Sequence, residues 1–153
     1  MNPLVAFDAD VVIYAGQVGH PLGRRILRLF PDAPDGIAGV GSLILLSEVL
    51  AKPMRLDPSS PDSRRLLELV GRLDLHPVDD STAQLALALA IEYKLRAADS
   101  VHLATAIAAG ADRFLTNNRK DFPKSIREID IVYPDDLPDP GDDPADPGDE
   151  SGE

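Results

Sequence analysis

Short apolar runs without polar alternation, each followed by an amphipathic or helix-forming stretch, recur along this chain, and few folds accommodate that pattern. Residues 4–7, ended by Asp8, are the first such run. A strand that is apolar on both sides has to be covered on both sides, which is the situation inside a parallel sheet. Further strands are expected over residues 37–40, 75–78, 114–116 and 129–133, the first of these weakened by its glycines. Between them the sequence predicts a short helix after Asp10, with Asp10 as a candidate cap, and a second over residues 21–30. In that second helix Leu22, Ile26, Leu29 and Phe30 share one face and Arg24, Arg25 and Arg28 the other. A third helix is expected from a serine cap at Ser42 to a stop at Pro53, and a fourth over residues 61–73. A fifth starts at Ser81 or Thr82 and runs towards Leu95, and a sixth is opened by Asp99 and closed by Gly110. Strands alternating with helices define the expected class: α/β, a three-layer α/β/α sandwich around a parallel sheet of four to five strands.

Composition narrows the chemistry. The length of 153 residues suits one domain, and 44% hydrophobic with 27% charged residues is a globular balance. The absence of cysteine excludes disulfide frameworks, thiolate zinc sites and cysteine nucleophiles, and suits a reducing cytoplasm. No basic leader precedes the first apolar run, and no apolar stretch approaches the roughly 20 residues of a spanning helix, so a cytoplasmic protein without membrane insertion is expected. The net charge of -11 misleads about partners. Nine of the 26 acidic residues lie in 134–153 with five prolines, three glycines and no basic residue, which leaves 17 acidic against 15 basic, a net of -2, over residues 1–133. The expected division is therefore a folded domain over 1–133 and a disordered acidic tail over 134–153. A nearly neutral body does not exclude nucleic acid.

In open parallel sheets ligands gather beyond the carboxyl ends of the strands. Asp8 falls there, as does the loop from Thr116 to Asp121, while Glu48 and Asp99 lie on helices entered from other crossings. Two like charges 4 Å apart repel by about 4 kcal/mol at an effective dielectric near 20, so carboxylates that meet there raise one another's pKa values or take up a cation. Oxygen ligands with no cysteine and no paired histidines select Mg2+ or Mn2+ over zinc. Each acid also has an ordinary role open to it: Asp8 and Asp99 as helix caps, Glu48 as an i,i+4 partner of Lys52. His102, three residues after Asp99 on a shared face, reads as structural, as do His20 and His76. Gly39-Val40-Gly41 lacks the rest of a dinucleotide fingerprint, and no serine sits in a nucleophile elbow.

Four segments in order carry a resemblance: Asp8-Ala9-Asp10-Val11-Val12-Ile13, then Leu46-Ser47-Glu48-Val49, then Ala98-Asp99-Ser100-Val101-His102-Leu103-Ala104-Thr105-Ala106, and Thr116-Asn117-Asn118-Arg119-Lys120-Asp121-Phe122. Together they resemble the PIN domain, VapC-type ribonuclease toxins in particular, over residues 4 to about 133. The resemblance implies a metal-dependent ribonuclease that hydrolyses RNA phosphodiester bonds with Mg2+ or Mn2+. Asp8, Glu48 and Asp99 would be its catalytic, metal-binding carboxylates, with Asn118 at the fourth ligand position and Thr116 orienting the loop. Two departures stand out: Ala9 and Asp10 replace the usual hydroxyl and small polar residues, and Asn118 offers an oxygen without a charge. Asp10 and Asp121 are thus possible accessory acids. Near the expected rim, Lys52, Arg55, Arg119, Lys120 and Lys124 are candidates to attract the RNA backbone. The resemblance further implies an antitoxin protein as partner and a homodimer. Two alternatives remain at this point: a PIN-like module that binds RNA or antitoxin without robust catalysis, and a haloacid-dehalogenase-like phosphatase. The second is suggested by Asp8-Ala9-Asp10 after a strand, with Gly141, Asp142 and Asp146 imitating its later acidic loop.

Overall fold

A computed structural model describes residues 2–140 of the chain. Five strands, β1 (Val5–Phe7), β2 (Gly39–Ser42), β3 (Leu73–His76), β4 (Arg113–Leu115) and β5 (Asp130–Val132), form one sheet in the order β3-β2-β1-β4-β5. Every neighbouring pair is parallel. The helices are α1 (Ala9–Gly16), α2 (Pro21–Leu27), α3 (Leu45–Leu56), α4 (Pro61–Gly71), α5 (Asp80–Tyr93) and α6 (Ala97–Ala108). The expected α/β sandwich is what forms.

Side chains alternate across a strand, so each strand feeds two cores. Phe7 and Leu115 join Val11, Val12, Ile26, Leu45, Val49 and Val70, which places α1 to α4 on one face. Ala6 and Phe114 join Leu89, Leu103, Ala104, Phe122 and Ile131, with α5 and α6 on the other. From β1 the chain steps outward to β2 and β3, then returns past β1 to β4 and β5. The direction therefore reverses between β1 and β4, and at such a switch point the flanking loops part and leave a crevice at the carboxyl edge.

Several boundaries differ from expectation. β2 spans Gly39–Ser42 rather than 37–40, and β3 spans Leu73–His76 rather than 75–78. Ser42 closes β2 instead of capping a helix; its Oγ accepts the Ile44 N–H at 3.3 Å, and α3 begins at Leu45 without a side-chain cap. Nor does Pro53 stop α3, which continues to Leu56. An interior proline costs a helix about 3 kcal/mol. Burying Leu45, Val49 and Leu50, at about 1.5–3 kcal/mol each, offsets that cost. Asp8, not Asp10, caps α1, and α6 opens at Ala97, two residues before Asp99.

The folded body also extends past Tyr133. A 3-10 turn over Pro134–Asp136 follows β5, and the Tyr133 N–H donates to Asp136 Oδ2 at 3.0 Å. Arg25 of α2 donates to the carbonyls of Asp135 and Leu137 at 3.2 and 3.1 Å and pairs with Asp139 at 3.1 Å. These seven residues, 134–140, were expected in the tail; main-chain acceptors and a partly buried Leu137 tie them to the domain instead. The tail from residue 141 onward, including Gly141, Asp142 and Asp146, lies outside the described residues. Among the described residues no helix is long and apolar enough to cross a membrane.

Candidate active site

The register of β1 on β4 pairs Phe7 with Leu115, so the next residue of each strand, Asp8 and Thr116, emerges side by side at the carboxyl edge. Asp8 stays in the ladder through its N–H, which donates to Leu115 O at 3.0 Å. Its side chain is held at both oxygens: Oδ1 accepts from the Ala9 N–H at 2.8 Å and Oδ2 from the Thr116 hydroxyl at 2.7 Å. The Thr116 Oγ1 in turn accepts the Asn118 N–H at 3.1 Å, so one buried hydroxyl fixes both the carboxylate and the loop. Asp8 itself is 5% exposed.

Two turns of backbone bring in further acids. Asp10, in the first turn of α1, accepts the Asn117 N–H on Oδ2 at 3.0 Å. Its Oδ1 is buried and has no partner. Asp99 occupies the first turn of α6 and caps nothing, because the helix begins at Ala97 with Arg96 as its N-cap. The capping role open to Asp99 in the sequence is therefore not the one it takes. Glu48, from α3 on the opposite face, contacts His102 of α6 through Oε1 and Nε2, and it does not use Lys52. Asn118 and Asp121 close on each other: the amide Nδ2 donates to Asp121 Oδ2 at 2.9 Å, and the Asp121 N–H donates to Asn118 Oδ1 at 3.3 Å. The Asn118 amide is thus engaged within its own loop.

The charges register one another. Burial raises the Asp8 carboxyl above its ordinary range, and the charge of Glu48 adds to that. Burial, then the charge of Asp8 and more weakly that of Asp99, pushes Asp10 up to about 7. Burial raises Asp99 as well, followed by the charges of Asp8, Asp121 and Glu48, while His102 acts in the opposite sense on Asp8 and Asp99. Carboxyls that resist ionisation together are short of positive charge. Among the described residues no group of three or more His, Asp or Glu side chains stands ready to hold a metal ion. The donor set nevertheless fits a hard divalent cation: oxygens only at the acidic positions, a buried Asp10 Oδ1 without a partner, and a shared need for positive charge.

The five basic candidates divide into two groups. Arg119 and Lys124 lie over the Tyr133 ring at 4.5 and 5.2 Å from its centroid, and they pair with Asp135 at 2.5 Å and Asp136 at 2.7 Å. Lys52, Arg55 and Lys120 are exposed and, among the described residues, make no ion pair. An apolar cleft of about 440 Å³ opens beside Glu48 between α1, α3 and α4, with Ile13, Val49, Leu56 and Leu66 in its lining. A larger one, about 700 Å³, is lined by none of the carboxylates singled out in the sequence. Sequence reasoning set aside His102, whose side chain is 1% exposed and meets Glu48; its position one turn after Asp99 was the available signal. It missed Tyr14, whose hydroxyl accepts from Asn117 Nδ2 at 3.3 Å and whose ring stacks on His20.

Comparison with known proteins agrees with this fold. The chain superposes on a toxin–antitoxin complex from Klebsiella pneumoniae with a TM-score of 0.67 and 25% identity, covering 85% of this chain and 97% of that one. It also superposes on the crystal structure of VapBC2 from Rickettsia felis bound to a DNA fragment from their promoter, with a TM-score of 0.65, 19% identity, and 85% and 98% coverage. No curated protein matches the chain. The family model of the PIN domain matches residues 5–126, and the chain, with its parallel sheet and the acids at its switch point, belongs to the PIN domain family.

Proposed function

We propose that this protein is a metal-dependent ribonuclease that hydrolyses RNA phosphodiester bonds as the toxin of a toxin–antitoxin pair. One observation carries the reading: burial raises Asp8 and Asp10, from the β1–α1 junction, and Asp99, from α6, at the carboxyl edge of the sheet, the charge of Asp8 raises the other two further, and among the described residues no lysine or arginine is paired to any of them. Asp8, Asp99 and Glu48 would hold a Mg2+ or Mn2+ ion, with Asn118, Asp10 and Asp121 as further oxygens within the site. When bound, such an ion supplies Lewis-acid polarisation of the phosphate and neutralises developing charge. The chain's own residues do the positioning. Thr116 holds Asp8 in one rotamer, the Asn117 N–H holds Asp10, and Lys52, Arg55 and Lys120 draw the anionic backbone to the rim.

Membership in a family of nucleases supports the reaction class, and the likeness to toxin–antitoxin complexes supports an antitoxin partner. A homodimer and a cytoplasmic location belong to the same proposal. The phosphatase alternative gives way to the family match. A second reading, a module that binds RNA or antitoxin with little metal, is favoured by the Asn118 amide being spent on Asp121. The deciding experiment is RNA cleavage in Mn2+ by the wild type, Asp8→Asn and Asp99→Asn. Each substitution is expected to lower the rate by at least about a hundredfold, the loss of a few kcal/mol of charge stabilisation. Full activity in both variants overturns the nuclease reading, and a wild type that takes up no Mn2+ in titration establishes the binding module.

A further inference from the structure

We infer that His102 is a positioning residue that fixes the Glu48 carboxylate over the edge of the sheet, an inference that rests on the metal-dependent reading of the site. Glu48 stands on α3, packed in the Phe7 core, and His102 on α6, packed in the Ala6 core. The sheet lies between these two layers. Their contact through Oε1 and Nε2 therefore joins the layers at the carboxyl edge, beside Asp8.

Packing alone does not account for this histidine. The residue is 3% exposed, and its Nδ1 is buried with no partner, so an apolar side chain of similar size would fill the space without leaving a nitrogen unused. Glu48 Oε1 belongs to a carboxylate and can only accept, which assigns a proton to the facing Nε2. The imidazole then donates from Nε2 to Glu48 Oε1, and among the described residues Oε2 has no protein partner. A glutamate that is 36% exposed has several rotamers open to it, and one buried donor on a rigid helix removes most of that freedom. The arrangement is that of an outer residue orienting an inner ligand, whose loss typically lowers metal affinity about ten- to hundredfold.

The test is a double-mutant cycle in the full-length chain, read by calorimetric titration with Mn2+ in the absence of RNA. His102→Leu is expected to weaken Mn2+ binding about ten- to hundredfold. The same substitution in a Glu48→Gln background is expected to add nothing further, because the partner is already gone. His102→Gln, whose amide reaches the Nε2 position, is expected to recover most of the affinity. If His102→Leu does not fold, His102→Met replaces it in the cycle. Additive losses, or wild-type affinity in His102→Leu, overturn the role of His102 alone. A wild type without measurable Mn2+ affinity overturns the nuclease reading and this role together.

Discussion

At Asp10 the sequence departs from the usual family pattern, and the physics of that one carboxyl makes a measurable difference. Its pKa of about 7 in the fold, against 3.8 for a free side chain, means that the folded chain holds the proton more tightly than the unfolded one. Folding is then favoured where Asp10 is protonated, and stability falls as pH rises from about 4 through about 7. Asp8 and Asp99 are raised too and act in the same direction. Asp79 and Asp136 are shifted the other way, so their contributions are lost only as pH falls below the ordinary carboxyl range, outside a window of pH 5 to 8. In chelator the wild type is expected to melt at a higher temperature at pH 5 than at pH 8, and Asp10→Asn is expected to flatten that difference. Thermal unfolding followed by circular dichroism checks both, and a profile unchanged by Asp10→Asn would count against a buried, proton-holding Asp10. Mn2+ at pH 8 is expected to restore the midpoint of the wild type, since a bound cation stabilises only the state that holds it. The acids were legible as a group because each follows a strand or opens a helix turn, positions that periodicity locates. What they touch was not. The Glu48–His102 contact spans 54 residues and two layers, and only folding brings those helices together.

Among the elements, β2 explains why strand boundaries slipped although the expected parallel sheet forms. A residue at Gly39 bearing a Cβ would meet the Val5 carbonyl oxygen at 2.2 Å, so glycine is what allows β2 to approach β1. Propensity penalises glycine in strands, which drew the expected strand toward residues 37–40 and away from the segment that pairs. The same bias misplaced α3, where Ser42 looked like a cap and Pro53 like a stop. Burial of Ser42 in the sheet and of Val49 and Leu50 in the core decided otherwise. Gly39→Ala is expected to destabilise the fold by roughly 1–3 kcal/mol, the usual range for overpacking, because the obstructing atom is backbone and cannot swing aside. Because β1 carries Asp8 at its end, the substitution is also expected to lower Mn2+ affinity. Denaturant unfolding and Mn2+ titration of the variant measure the two effects; wild-type values in both would show that β1 and β2 tolerate a wider spacing.

Across the whole molecule, charge is distributed so that the overall pI of 4.5 says little about the surface near the site. The acidic segment after β5 folds back on the basic loop: Asp135 takes Arg119 and Asp136 takes Lys124, with both cations over Tyr133. Two of the five side chains expected to meet RNA are therefore already neutralised by carboxylates of the same chain. Exposed ion pairs of this kind contribute about 0–1 kcal/mol each, so removing the acids costs the fold little. The acids then act as competitors of RNA, and their removal has a defined signature. In a full-length Asp8→Asn background, which prevents cleavage, Asp135→Asn with Asp136→Asn is expected to raise affinity for single-stranded RNA several-fold at low salt. Two additional phosphate contacts are expected to steepen the dependence of log K on log salt by about 1.4. Asparagine at 136 keeps an oxygen for the Tyr133 N–H, so the turn is expected to persist and the thermal midpoint to stay close to that of the parent. Fluorescence anisotropy over a salt series measures both the affinity and the slope. An unchanged slope would mean that Arg119 and Lys124 do not meet RNA even when their carboxylates are gone, and that Lys52, Arg55 and Lys120 carry the electrostatic attraction without them.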